Sequence, residues 1–278
     1  MERVSVIGLG AMGAPMAARL AGAGLSVRGF DRDAAKREAC PWAVERFAEA
    51  LDADALILSL PNSAVVEAVT AEALATARPG LLIVDTSTAD PASTRRLQAQ
   101  AAAQGVGFVD APVSGGAKGA AEGRLLVMLG GAPDDRERAR AVLAPLARAV
   151  LDCGGPGAGN VVKLINNLLC SAHLLLAGEA LRMGEAAGLD AETLAAALAA
   201  GSGRSGAIEA NLPAWVLNGA YDSGFTLGLM GKDVGLAAAL DGLGPLAGAT
   251  LAQVAAARAR FADGEDFNRL VDAAWRDA

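Results

Sequence analysis

The first half of the chain alternates short apolar runs with stretches whose apolar residues recur at helical spacing. The runs at Val4–Ile7, Ser26–Phe30, Ala55–Leu60, Leu81–Asp85, Gly107–Asp110, Leu125–Leu129 and Val150–Asp152 predict strands. Helical spacing predicts helices near 11–22, 63–76, 90–104 and 134–146. Such alternation implies βαβ units and a mostly parallel sheet covered on both faces. After about residue 156 no strand-like run remains. Residues 160–187 lack proline and predict one long helix. More helices follow near 190–200, 205–218, 232–241 and 246–262, punctuated by Gly188, Gly201, Gly203, Pro213, Gly219, Gly224, Gly244 and Pro245. The change of character falls in "CGGPGAGN". It predicts an α/β chain with a doubly wound sheet domain over 1–158, followed by an all-α domain over 159–278, joined by the long helix.

Composition narrows the partners. Of 278 residues, 53% are hydrophobic and 20% charged, and the net charge is −7. An acidic chain does not attract phosphate backbones or anionic lipid, so neither nucleic acid nor a membrane is expected. The apolar run 164–178 contains Asn166, Asn167, Ser171 and His173, which fits a buried helix better than a membrane span. The three cysteines, Cys40, Cys153 and Cys170, lack metal-ligand spacing. Free thiols, a reducing cytoplasmic setting and no metal are expected. The apolar start "VSVIGLG" reads as a buried strand and not as a signal sequence.

Gly8-Leu9-Gly10-Ala11-Met12-Gly13 has the spacing GxGxxG between a strand and a helix, the context that the dinucleotide fingerprint requires. Each glycine has its own reason. Gly8 permits the tight turn, Gly10 lets backbone approach a pyrophosphate, and Gly13 lets helix and strand close up. The diphosphate would rest on the helix N-terminus. Asp31, at the end of the second strand, is placed to accept from both ribose hydroxyls and points to NAD. Arg32 beside it keeps NADP open, because an arginine there can pair with a 2′-phosphate.

Taken with three further segments, this start resembles the β-hydroxyacid dehydrogenase family, the 3-hydroxyisobutyrate dehydrogenase-like group. "VIGLGAMGAPMAARL" is similar to its cofactor signature, "DAPVSGG" at 110–116 to its substrate signature, "GAGNVVKLINN" at 157–167 to its catalytic signature, and "FTLGLMGKD" at 225–233 to its C-terminal segment. The family's glycine-containing turn before the third strand is replaced here by "REACPWAVERFAEALDAD". The resemblance implies a Rossmann-type domain and a hydride transfer between NAD(P) and a small carboxylic acid bearing a β-hydroxyl.

Lys163 is the expected acid/base. It is a lone charge among Val161, Val162, Leu164 and Ile165, where an unpaired ammonium is otherwise costly. With its pKa lowered by burial or nearby charge it would take or return the hydroxyl proton. Asn167, one helical turn on, lies on the same face and would orient substrate, whereas Asn166 is turned about 100° away. Ser114, Gly115 and Gly116 offer a hydroxyl and exposed N–H groups as a carboxylate cradle. The resemblance implies nicotinamide-side contacts from Leu60, Pro61, Val65 and Thr88. It also implies a cofactor contact from Lys232, an active-site place for Asp233, and a pocket-closing role for Phe225, which composition alone reads as core. Lys232 and Asp233 read as opening a helix. His173, the only histidine, reads as a packing or hydrogen-bonding residue, and Asp52 and Asp54 as solvated. An NADPH-dependent imine reductase, a non-catalytic dinucleotide-binding module and a sugar-phosphate dehydrogenase are the rival readings. Excess apolar surface on the helical domain suggests a homodimer or homotetramer.

Overall fold

The computed structural model describes residues 3–276. They form two compact units that divide at Lys163 and Leu164.

The first unit contains β1 (Arg3–Ile7), α1 (Gly13–Gly22), β2 (Ser26–Phe30), α2 (Ala34–Glu38), α3 (Phe47–Ala50), β3 (Ala55–Leu58), α4 (Ser63–Leu74), β4 (Leu82–Asp85) and α5 (Pro91–Ala102). It continues with β5 (Gly107–Asp110), β6 (Val113–Ser114), α6 (Gly116–Glu122), β7 (Leu125–Gly131), α7 (Pro133–Leu143) and β8 (Ala147–Gly154). All seven expected strands are present. The sheet runs β2-β1-β3-β4-β5-β7-β6, and β8 also pairs with β7. The first five strands are parallel, β7 is antiparallel to β5 and β6, and β8 is parallel to β7.

The apolar runs are continuous because both sheet faces are covered. Val4, Val6, Ile57 and Val84 point to one face, against Met16, Ala17 and Leu20 of α1. Ile7, Leu56, Leu58 and Ile83 point to the other, against Val66 and Val69 of α4 and Leu97 of α5. Side-chain oxygens cap several helices: Asp33 for α2, Asn62 for α4 and Asp90 for α5.

The second unit is helical: the main part of α8 (Ala158–Ala186), then α9 (Ala191–Ala200), α10 (Leu227–Ala237), α11 (Pro245–Arg260) and α12 (Arg269–Trp275). Leu174, Leu175, Ala177 and Leu181 of α8 form its core with Leu212, Leu227, Met230, Val254, Leu270 and Val271. By length and composition α8 could cross a bilayer, but the same test is passed by the core helix of a globular unit, which is how it is used here.

Four expectations change. The chain between β2 and β3 carries the short α2 and α3. α8 starts where predicted, but its first turns pack within the first unit, so the units meet at Lys163/Leu164 and not at 158/159. The helix foreseen near 205–218 is π-helical over Ala207–Val216 with Pro213 inside, where a residue without N–H suits a widened ladder. α10 begins at Leu227, with the Thr226 side chain accepting from Leu229 N at 3.3 Å. Lys232 and Asp233 therefore lie mid-helix instead of opening one.

Candidate active site

β1 pairs with β2 on one side and β3 on the other, so the chain order reverses between β1 and β3. Open α/β sheets bind ligands at such a switch point, beyond the carboxyl ends of the strands. The glycine turn sits there. Gly8 has φ +94°, and a side chain on it would strike the Ser59 carbonyl. A side chain on Gly13 would strike the Gly8 carbonyl. Gly10 differs, because a Cβ there would meet nothing within 4 Å. Protein packing thus demands glycine at 8 and 13, while the bare face of Gly10 is an open cradle suited to a close-approaching diphosphate. Leu9 is buried and anchors the turn in the core, Ala11 is exposed, and Met12 immediately precedes α1.

Asp31 closes one side of this turn. Its Oδ2 accepts from Leu9 N at 2.8 Å, its Oδ1 accepts from Asp33 N at 2.9 Å, and Lys36 Nζ stands 3.6 Å away. Each carboxylate oxygen keeps a second lone pair for a ribose hydroxyl. Arg32 is exposed and bonds Glu72 at 3.2 Å. Leu60 and Pro61 follow β3, and Leu60 N donates to Ser87 Oγ at 2.9 Å. Val65 lies in the first turn of α4 against the core, and Thr88 is half-buried after β4. The open cradle, the acid and the strand-end loops fit a dinucleotide.

Ser114 ends β6, and Gly115 and Gly116 follow with φ +130° and +63°. Two successive residues of that kind are natural only to glycine and leave backbone N–H groups exposed. The neighbouring strand end supplies a residue whose role sequence reading missed. Asp110, fully buried, accepts from Gly157 N and Asn160 N, each at 2.9 Å. Burial pushes its carboxyl above the usual carboxylate range, and those N–H groups pull it back. Asn160, also buried, accepts from Ala89 N at 3.0 Å and donates to Thr94 Oγ1 at 3.1 Å. Lys163 follows on the next turn of α8 and is only 8% exposed.

In the second unit, Asn167 is buried and donates through Nδ2 to Asp233 Oδ2 at 2.6 Å. Asp233 is 1% exposed, and its other oxygen ion-pairs Lys232 Nζ at 2.9 Å. Asn166 donates to Asn167 Oδ1 at 3.1 Å, and Ser171 Oγ donates to the Asn167 carbonyl at 3.0 Å. The Asn167 side-chain amide is therefore oriented from two sides, by Asp233 at its NH2 and by Asn166 at its oxygen. Phe225 packs edge-on against Phe267 in the core of this unit, 5.4 Å between ring centres. His173 is exposed. Asp52 is exposed and Asp54 half-buried at the surface, in line with solvated groups, and they pair there with Arg3 at 2.6 and 2.9 Å. No cluster of metal-ligating side chains occurs among the described residues.

Comparison with known proteins gives the following. Residues 3–155 match the family described as the NAD binding domain of 6-phosphogluconate dehydrogenase. Residues 157–273 match the family described as the NAD-binding domain of NADP-dependent 3-hydroxyisobutyrate dehydrogenase. The chain is 37% identical to 2-(hydroxymethyl)glutarate dehydrogenase of Eubacterium barkeri, over 84% of this chain and 81% of that one. It is 37% identical to the NAD-dependent L-serine dehydrogenase of Pseudomonas aeruginosa, over 85% and 84% of the two chains. The solved structure of Mycobacterium tuberculosis 3-hydroxyisobutyrate dehydrogenase with L-serine superposes with a TM-score of 0.89, at 36% identity and 98% coverage of both chains.

Proposed function

Because the chain belongs to the β-hydroxyacid dehydrogenase family, we propose that its substrate is a 3-hydroxypropanoate with one substituent on the α-carbon, oxidised to the semialdehyde. The chain is an oxidoreductase that moves a hydride between NAD(P) and a small hydroxy acid. The compounds that give the relatives their names, and the L-serine of the solved structure, support the finer reading. Each carries a carboxylate and a primary hydroxyl on the β-carbon, and they differ only at the α-carbon.

The observation that carries this reading is the buried amine of Lys163 on the second turn of α8. When bound, the nicotinamide accepts or returns the hydride. The chain's own groups do the rest. Lys163 takes the hydroxyl proton on oxidation and returns it on reduction. Ser114 and the N–H groups of Gly115 and Gly116 hold the carboxylate and thereby set the reacting carbon. Asn167, oriented by Asp233, fixes the hydroxyl, and Asp233 acts through it. NAD is the preferred partner. The Asp31 carboxylate would repel a 2′-phosphate, and Arg32 is engaged with Glu72.

Two further proposals concern setting and assembly. Cys40, Cys153 and Cys170 form no disulfide, which suits a reducing cytoplasm. The exposed Ile165, Leu169, Leu176 and Met183 share one face of α8 and suit a second copy of the chain.

The test is a panel of 2-substituted 3-hydroxypropanoates with NAD and NADP, followed by the nicotinamide absorbance. Lys163→Ala should lower turnover about 100- to 10,000-fold while NADH binding is kept. Turnover close to that of the parent would remove Lys163 from the chemistry.

A further inference from the structure

A family of hydrogen bonds at the head of α8 has no part in cofactor or substrate binding as described above. The free N–H groups at a helix start need acceptors, and they carry the positive end of the helix dipole. For α8 the acceptor comes from elsewhere in the chain: Asp110, the last residue of β5, takes Gly157 N on one oxygen and Asn160 N on the other. The fit allows no side chain at two flanking positions. A Cβ on Gly130 would lie 2.6 Å from Asp110 Oδ1 and 2.8 Å from Gly159 N. A Cβ on Gly159 would lie 3.0 Å from Asp110 Oδ2 and would strike the Met128 carbonyl. The same turn is tied a second time by Asn160, which accepts from Ala89 N after β4 and donates to Thr94 of α5. Strand end, loop and helix start are thus locked in one buried network, three residues ahead of Lys163.

We propose that Asp110 is a positioning residue for Lys163: by capping α8 from the end of β5 it sets the place and rotation of the turn that carries the amine, with Asn160 as the second anchor. A reacting group displaced by about 1 Å costs on the order of 100-fold in rate. A cap that slips is therefore read in turnover before it is read in folding. The proposal rests on Lys163 being the acid/base.

The experiment compares Asp110→Asn, Asn160→Ala and, as a control, Asp190→Ala, which removes the side-chain cap of α9 in the other unit. Asn at 110 keeps the shape and one acceptor but turns an NH2 group toward a backbone N–H. kcat should fall about 10- to 100-fold in Asp110→Asn, and by less in Asn160→Ala. The Kd for NADH should stay within about twofold, since the glycine turn and Asp31 stand on other strands. The control should lower the melting temperature and leave kcat unchanged. Three outcomes overturn the proposal: kcat unchanged in a folded Asp110→Asn, kcat lost only in proportion to NADH affinity, or a control that loses as much kcat. Should Asp110→Asn not fold, Asn160→Ala is read by the same criteria. If Lys163→Ala retains turnover, the acid/base reading itself fails. If Lys163→Ala is inactive and both anchors are silent, only the positioning role fails.

Discussion

At the scale of single residues, the chemistry divides into groups that act and groups that hold them. Asn167 can be useful only with its amide turned one way, and Asp233 holds that turn through a 2.6 Å bond between two buried side chains. In Asp233→Ala the amide keeps only its bond from Asn166, and Lys232 loses its 2.9 Å contact with the carboxylate. Turnover should fall about 10-fold or more, as expected when a buried hydrogen-bonded partner is removed. Steady-state assays should show this as a fall in kcat, and an unaltered kcat would return Asp233 to a purely structural role. Local motifs made part of this site legible in the sequence. Gly8, Gly10, Gly13 and Asp31 lie within one strand–turn–helix–strand unit, and Lys163 stands out as a charge in an apolar run. The capping role of Asp110 was not legible, because its partners Gly157 and Asn160 lie 47 and 50 residues on, and only the folded sheet brings them together. Its place at the head of "DAPVSGG", closing an otherwise apolar strand, marked the residue but not what it holds.

At the scale of elements, stability rests on caps as well as on core. Asp190 accepts from Thr193 N at 2.8 Å at the head of α9, and the Thr193 side chain, together with this backbone bond, holds its carboxyl below the usual carboxylate range. A depressed native value means that the stabilisation is complete above the ordinary value and is lost as pH falls through the depressed one. The melting temperature of the parent should therefore decline in that acid window, and the decline should be shallower in Asp190→Asn. Parallel melting curves for the two proteins would count against the cap. Sequence reading found the long strands and helices because a period shows only over enough residues. It missed α2, α3, α6 and α12, which have five, four, seven and seven residues, and the two-residue β6. It placed the start of α10 late because Gly228 and Gly231 look like breaks, yet both sit inside the helix once Thr226 caps it.

At the scale of the molecule, the long helix offers a clean test of assembly. Ile165, Leu169, Leu176 and Met183 are 45–71% exposed and follow one another at spacings of four, seven and seven residues. Burying a leucine is worth about 1.5–3 kcal/mol, so such a row is costly to leave in water. Sedimentation should find a dimer or tetramer, and Leu176→Glu should shift it toward monomer. A parent that is monomeric at working concentration would dispose of this proposal. The two-part organisation was legible from the disappearance of strand-like runs. The exact division was not, since it depends on which neighbours the first turns of α8 bury against.

That division falls inside an unbroken helix instead of a loop. A loop takes up an inserted residue by bulging, whereas a helix converts it into about 100° of rotation and about 1.5 Å of advance. Length is thus free to drift at turns such as those around Gly188 and Gly219, but it is quantised between residues 163 and 167. A single insertion there would carry the amide about 100° round the helix from the face that holds the amine, and the chemistry would fall mute.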